Sequence, residues 1–291
     1  MNMLGIAIVN YRSADDTAAL VRSIVAHHDD PNLAVAIAIV DNSDEPAEVA
    51  PIAEHARRCG MVSTVLHGHG NVGYAAGNNL AASWLLGQGA GVVWVLNPDT
   101  RIVAGRLTAA FETLRCGGPV IAATTSAAPD GSGHPDLGAI DLWTGRSGRP
   151  AAGVAAAGRT LTYVAGHSVL VNRDAWLALG GFSEDFFLFF EEADLAVRSA
   201  RLGIPTTVVA GLTVEHAGGG STGATADLRA KSQITYFHAS RSCMIFFRKH
   251  HRKRVPAAFA ARLAYAARVL PAGGPAAASA VVRGAIAGLR A

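Results

Sequence analysis

The sequence predicts an α/β protein built on a mostly parallel, doubly wound central sheet, with a helical, basic C-terminal extension. Three observations predict it. Short apolar runs alternate with stretches of helical spacing through the first 125 residues. The runs are continuous rather than alternating, as in strands buried on both faces. Several stop abruptly at a polar cluster, and ligands of open α/β sheets bind outside the carboxyl ends of the strands.

Taken in order, Leu4–Val9 (LGIAIV) is the first expected strand. Asp15–His27 is a helix with Leu20, Val21 and Ile24 on one side. Ala34–Val40 is a second strand, ending at Asp41-Asn42-Ser43-Asp44. Pro46–Arg58 reads as helix, Met61–Leu66 as strand, Gly73–Leu86 as helix and Gly91–Leu96 as a fourth strand stopped by Asn97-Pro98-Asp99-Thr100. Arg106–Arg115 and Pro119–Thr124 continue the alternation. Ser126–Gly158, rich in Gly, Pro, Ala and Asp, reads as a long irregular excursion of the kind used for lids and binding inserts. Order returns over Leu161–Val171, and a helix starts near Asp174. Glu191–Leu202 is a further helix and Thr206–Val209 a final strand; beyond Ala230 the pattern is helical and basic. No internal repeat is visible.

Half of the 291 residues are hydrophobic and 16% are charged, so a sizeable core is available, although much of it is Ala. Cys59, Cys116 and Cys243 have no C-x-x-C spacing and read as small core residues in a reducing compartment. The N-terminal run has no basic region before it, and no stretch approaches the roughly 18–20 apolar residues that span a bilayer. A cytoplasmic protein is expected. The net charge of +3 is uneven: ten Lys/Arg and no acidic residue follow from Arg241 onward, leaving −7 on the rest. That pattern suits an anionic partner such as a membrane face. Arg248-Lys249-His250-His251-Arg252-Lys253-Arg254 resembles a juxtamembrane basic cluster, or else a solvated helix face. Nucleic acid is not an expected partner, because stacking aromatics and a known binding module are missing.

Three stretches carry candidate chemistry. Asn97-Pro98-Asp99 offers a hard oxygen ligand for Mg²⁺ or Mn²⁺ at a strand end, and is equally a turn after a strand. In Gly181–Asp194 carboxylates flank an aromatic run, and Glu191 and Glu192 open a helix, where acidic residues also serve as plain caps. Aromatic burial beside them would raise a carboxylate towards a useful base. Asp194 and Arg198 are expected to pair on the helix face. His216, at a strand end before Gly218-Gly219-Gly220, is a candidate metal or phosphate ligand or an ordinary polar residue. Gly68-x-Gly70-x-x-Gly73 matches a dinucleotide fingerprint literally, but it follows the third strand and lacks the acidic residue about 20 positions on.

Six stretches occur in family order: VNYRS (Val9–Ser13), IVDNSDEP (Ile39–Pro46), NVGYAAGNN (Asn71–Asn79), LNPDT (Leu96–Thr100), GGFSEDFFLFFEEADLAVR (Gly180–Arg198) and HAGGGS (His216–Ser221). Together they resemble family 2 glycosyltransferases of the GT-A fold, a Rossmann-like sheet, and within them the rhamnosyltransferase-like branch. The resemblance runs from Leu4 to about Ser221. It implies a domain over 1–226, with a nucleotide-sugar half at 1–125 and an acceptor and catalytic half at 126–226, followed by the extension at 227–291.

It also implies roles. Asp41 would read the base of the donor near Val9, Asn10 and Tyr11, and Asn71, Gly73 and Asn79 would line the donor pocket. Asp99 matches the metal-binding aspartate of the D-x-D position, whose first member is Asn97 here, and His216 would complete the metal or diphosphate site. Glu191-Glu192 stands where the family carries Glu-Asp, so Glu192 is the expected base. It is one methylene longer than Asp, which leaves Glu191 as the alternative. The acceptor side would involve Gly166, His167, Asp185 and Phe187, and Ser183 replaces the family's usual Asp. The implied reaction is a single inverting, metal-dependent displacement from a dTDP-deoxysugar such as dTDP-rhamnose, or from a UDP-sugar. The acceptor hydroxyl would belong to a lipid-linked glycan or a small-molecule natural product, handled in the cytoplasm at the inner face of the membrane. Alternatives are a non-catalytic sugar-nucleotide or scaffold protein on the same fold, and a nucleotidyltransferase, although Asn10-Tyr11-Arg12-Ser13 is not the Gly-rich phosphate loop that the latter needs.

Overall fold

Nine strands form the main sheet among the residues described by the computed structural model, which are 2–115, 117–127, 133–148, 150, 158–217 and 227–291. In chain order the elements begin with β1 (Met3–Asn10), α1 (Ala14–Ala26), β2 (Ala34–Asp41), α2 (Pro46–Arg58), β3 (Val62–Leu66), α3 (Gly73–Gly87) and β4 (Val92–Leu96). There follow β5 (Thr100–Ala104), α4 (Leu107–Leu114), β6 (Ile121–Ala127), β7 (Gly133–Pro135), β8 (Leu137–Asp141), β9 (Ser147–Gly148), β10 (Thr160–Val164) and β11 (Ser168–Asn172). The chain continues through α5 (Arg173–Leu179), α6 (Glu191–Arg201), β12 (Thr206–His216), α7 (Gln233–His250) and α8 (Val255–Arg290). The main sheet runs β3-β2-β1-β4-β11-β6-β12-β5, with β7 on β6. Strands β3, β2, β1 and β4 are parallel, and β11 and β5 run antiparallel to their neighbours. This is the mixed, mostly parallel α/β architecture that the alternation predicts.

The chain divides into two compact units. The first comprises Met1–Asp136, Val164–Phe182 and Arg198–Ala217. All of β1 is buried, and its alternation explains the two layers of helices. Leu4, Ile6 and Ile8 join the core formed with Leu20, Val49 and Phe111 of α1, α2 and α4. On the other face, Gly5 lies against Leu85 and Val9 against Gly77, so small residues let α3 approach closely. The parallel register sets Asn10 beside Asp41, both at carboxyl ends of strands.

The second unit comprises Leu137–Tyr163, Ser183–Val197 and Gly218–Ala291. It holds the three-stranded sheet β10-β8-β9 and the α7–α8 hairpin. A Cβ at Gly284 or Gly288 would overlap the main-chain carbonyl of Phe237 or Arg241, so glycine permits the close approach of the two helices. Phe186, Phe190, Met244, Phe246 and Phe247 fill its larger core.

Several expectations are corrected. The excursion at 126–158 contains β7, β8 and β9, with 128–132, 149 and 151–157 outside the described residues. Strand β5 was not anticipated, since Pro98-Asp99 marks a stop that proves to be a turn into a new strand. The final strand extends past Val209 to His216 through a register shift between Val208 and Thr213. The segment Arg252–Arg290 is long and apolar enough to cross a membrane by length and composition, because its many Ala, with Val, Leu and Ile, outweigh the few arginines in mean hydropathy. It is broken at Gly274, which lies between Pro271 and Pro275. Cys243 is buried as expected, but Cys59 is exposed at the end of α2; Cys116 lies outside the described residues.

Candidate functional site

In the first unit, polar side chains gather at the carboxyl ends of β1, β2 and β4. Asp41 is fully buried; its Oδ1 accepts from Asn10 Nδ2 (3.0 Å) and Ser43 N (3.1 Å), and its Oδ2 from Glu45 N (2.7 Å). Asn10 Oδ1 in turn accepts from Thr17 (3.0 Å) and Ser13 (3.2 Å). The pair thus ties two strand ends to the helices that follow. Val9 is buried against Gly77, while Tyr11 is half-buried with the Arg12 guanidinium 5.3 Å from its ring centre. Asn71 Oδ1 accepts from Gly73 N, and the Gly73 carbonyl accepts from Asn42. Asn79 does something sequence alone did not suggest: its amide donates to Phe182 O and accepts from Phe182 N, both at 2.9 Å.

Asp99 and His216 meet through sheet pairing. His216 sits opposite Thr100 in the β12–β5 register, and Ala217 N donates to Asp99 O. His216 Nε2 is 3.1 Å from Asp99 Oδ1. The His216 ring stacks on His167, with centroids 4.3 Å apart and planes 8° apart. His167 Nε2 lies 3.3 Å from Asp136 Oδ2. Burial raises the Asp136 carboxyl, but the hydrogen bonds of His167, Ser126 and Thr124 more than offset this and leave it below the usual range. Gly166 is placed by Tyr74, whose hydroxyl donates to its carbonyl at 2.7 Å.

Among the described residues no three His, Cys, Asp or Glu converge as a preformed metal cage. The residues present nonetheless fit a Mg²⁺ or Mn²⁺ bound mainly through water and phosphate. Asp99 supplies a hard oxygen and His216 an imidazole, and Asn97 Oδ1 is buried without a partner at the same turn.

In the second unit, Glu191 and Glu192 open α6. Glu191 is 4% exposed, and the described residues supply no donor to Glu191 Oε2 or Glu192 Oε2. Burial, then the charge of Glu192, pushes Glu191 well above the usual carboxylate range; burial also raises Glu192, opposed by a backbone hydrogen bond and then by one from Glu191, both of which favour its charged form. The two neighbouring carboxyls titrate as one pair, and burial favours their protonated forms. Phe189 and Phe190, immediately before it, have φ of 67° and 71°. Consecutive left-handed phenylalanines are strained, and such strain collects where a site demands it. The two other left-handed non-glycines among the described residues, Arg12 and Asp44, flank the Asn10–Asp41 cluster.

Tyr163 faces the same carboxylates, and burial, then the charges of Glu192 and Glu191, pushes its hydroxyl far above the ordinary range. A Cβ at Gly138 would overlap the Tyr163 ring, so Gly138 clears its place. Phe187 stacks on His238 at 4.6 Å, and burial, then Arg241, depresses the imidazole. Asp185 is exposed and accepts from Lys249 Nζ (2.8 Å) and Ser183 Oγ (3.0 Å). Asp194 is fully buried, under His250 Nε2 (2.7 Å) and Lys249 Nζ (3.4 Å), and Arg198 donates to the carbonyls of Leu179 and Gly181. Sequence reasoning missed Tyr163, Asp136, Lys249 and His250. The only local hint was the density of Lys, Arg and His at 248–254, and Gly218–Ser221 falls outside the described residues.

These elements define a protein of the GT-A fold, and solved structures with that fold match it. The mannosyltransferase PcManGT from Pyrobaculum calidifontis, solved with GDP-Man and Mn²⁺, is 16% identical over 99% of this chain and 87% of its own, with a TM-score of 0.56. TarS from S. aureus, solved with UDP-GlcNAc, is 13% identical over 98% and 89%, with a TM-score of 0.50. Against a TarS structure with UDP (14% identity, TM-score 0.49) the match covers 84% of this chain but 64% of the other, so the chain spans under two thirds of that protein. At these identities the likeness is one of fold. No protein-family profile and no curated protein matches the sequence.

Proposed function

We propose that the chain is a glycosyltransferase of the family 2, rhamnosyltransferase-like kind, moving one sugar from a nucleoside diphosphate donor to an acceptor hydroxyl. The observation that carries this reading is the Glu191–Glu192 pair, two adjacent carboxyls at the head of a helix in a GT-A fold, with Glu191 4% exposed and neither Oε2 given a donor by the described residues. Glu192, when ionised, takes the hydroxyl proton as the acceptor oxygen bonds to the anomeric carbon and the bond from that carbon to the diphosphate breaks. Burial holds Glu191 towards its neutral form. A single displacement of this kind inverts the anomeric centre.

Asp99, His216 and Asn97 would hold a Mg²⁺ or Mn²⁺, which when bound supplies positive charge against the leaving diphosphate. Asn10, Tyr11, Asn71 and Gly73 are assigned to the donor. Asp41 organises the base-binding turn through its three accepted hydrogen bonds, and Asn79 acts by bracing Phe182. Gly166, His167, Asp185 and Phe187 are assigned to the acceptor side. A donor half at 1–125, a catalytic half at 126–226 and an extension at 227–291 remain the proposed division. The packing of α7 and α8 in one unit with Ser183–Val197 supports a role for the extension beside the base. The donor is a dTDP-deoxysugar or UDP-sugar. The acceptor is a lipid-linked glycan or small natural product in the cytoplasm, with the extension as the membrane-facing part.

Thermal shift with UDP-, dTDP- and GDP-sugars, with and without Mn²⁺, tests the donor. Ligand at 100 times Kd stabilises by about 2.7 kcal/mol. A Mn²⁺-dependent shift with one nucleotide, lost in Asp99→Ala, is expected, as is a fall in kcat of about 10²–10⁴ in Glu192→Gln. No shift with any donor, or an unchanged kcat, would remove the corresponding assignment.

A further inference from the structure

The second unit contains a cavity of about 790 Å³ whose lining includes Arg241, Ile245, Arg248, Lys249, Arg252 and Asp185. Its size falls in the range of small-molecule sites, roughly 300–1,000 Å³. Arg241, Ile245, Arg248 and Lys249 recur at three- and four-residue spacing on one face of α7, and Arg252 lies one turn beyond. Four cations therefore face one cavity, with Asp185 the one acidic side chain in its lining and Ala291 beside Arg248. Lys249 is matched, by Asp185 and Asp194. Among the described residues no Asp or Glu side chain is given an ion pair with Arg241, Arg248 or Arg252. Arg241 donates to Asp185 O (3.1 Å), Arg248 to Gly288 O (3.2 Å) and Ala291 O (2.6 Å), and Arg252 Nε to Arg248 O (3.2 Å). Each guanidinium has five N–H donors in a rigid fork, so most of this capacity is left for a ligand. Like charges on neighbouring turns repel, and an anion seated among them removes that repulsion.

We propose that this cavity binds a phosphate or diphosphate group, at a place made of residues other than the Asp99–His216 cluster. Guanidinium forks match phosphate oxygens in pairs, which favours phosphate over a carboxylate ligand of equal charge. Ile245 gives the cavity an apolar side, so the phosphate is attached to a larger, partly apolar molecule. Lys249 links the cavity to Asp194, one turn along α6 from Glu191. If the transferase reading holds, on which this step rests, the phosphate belongs to the acceptor substrate.

The probe is inorganic pyrophosphate, titrated into the full chain without nucleotide or divalent metal and followed by ³¹P NMR or calorimetry. Saturable binding is expected, weakened about tenfold or more in Arg252→Glu and in Arg241→Gln and unchanged in Asp99→Ala. Arg252 is exposed, so Arg252→Glu keeps the native melting curve. No saturable binding, or binding untouched in the folded arginine variants, overturns the site, as does binding lost only in Asp99→Ala. A parallel titration with farnesyl diphosphate identifies the source: tighter binding than pyrophosphate assigns a lipid diphosphate, equal binding a free phosphate. Because the Asp99 variant loses donor binding without losing pyrophosphate, failure of this site and failure of the transferase reading give different results.

Discussion

Replacing Glu191 by Gln should make the protein more stable at neutral pH and leave it unchanged in acid. Glu191 is 4% exposed, and its carboxyl is raised by burial first, then by repulsion from Glu192, with a smaller contribution from Asp194. In the unfolded chain it ionises near 4.5. Below that pH it is neutral in both states and its burial carries no electrostatic penalty. As pH rises from 4.5 through the raised value, the unfolded chain gives up the proton while the folded chain keeps it. Folding then loses about 1.4 kcal/mol for each unit of the shift. Glu191→Gln removes that titration while preserving shape and an N–H donor towards Glu192. The variant should exceed the wild type above pH 7, by an amount that grows with the size of the upward shift, and the gap should close towards zero at pH 4.5. Urea unfolding between pH 4.5 and 8.5, with m unchanged, reads the difference directly. A gap that does not vary with pH, or a variant less stable than wild type at pH 8, would refute a Glu191 carboxyl raised by burial and by its neighbour. Turnover in Glu191→Gln should stay within about tenfold of wild type, because the neutral partner is preserved.

Four further outcomes concern stability. Gly284→Ala should destabilise by about 1–3 kcal/mol despite a helix-propensity gain of up to about 1 kcal/mol, since the added methyl meets a main-chain carbonyl that cannot move alone. Gly87→Ala, at the end of α3 with nothing within 4 Å, should instead stabilise by about 0.5–1 kcal/mol, and thermal unfolding separates the two signs. Gly138→Ala should displace the Tyr163 ring, costing about 1–3 kcal/mol and lowering turnover together with stability. Asn172→Ala should cost about 2–4 kcal/mol by chemical denaturation. That side chain accepts from Ala175 N and Val120 N and donates to Leu114 O and Gly118 O.

The sequence by itself determined the first half of the sheet. Leu4–Val9 and Gly91–Leu96 became β1 and β4 within one residue at each end, because continuous β-rich apolar runs have only one stable burial, between two helical layers. The same pattern placed Asn10, Asp41, Asn97 and Asp99 at carboxyl ends of strands before any contact was known. Tertiary structure alone decided what those residues touch. Asp99 reaches His216 through the pairing of β5 with β12, and neither β5 nor the far end of β12 was legible, since Pro98 and Gly211 look like stops when read locally. His250 reads as part of an exposed basic run, yet it is 1% exposed on Asp194. Composition and periodicity report how each segment wants to be buried. Which distant segments meet depends on closing long loops against packing, and no local pattern records that balance.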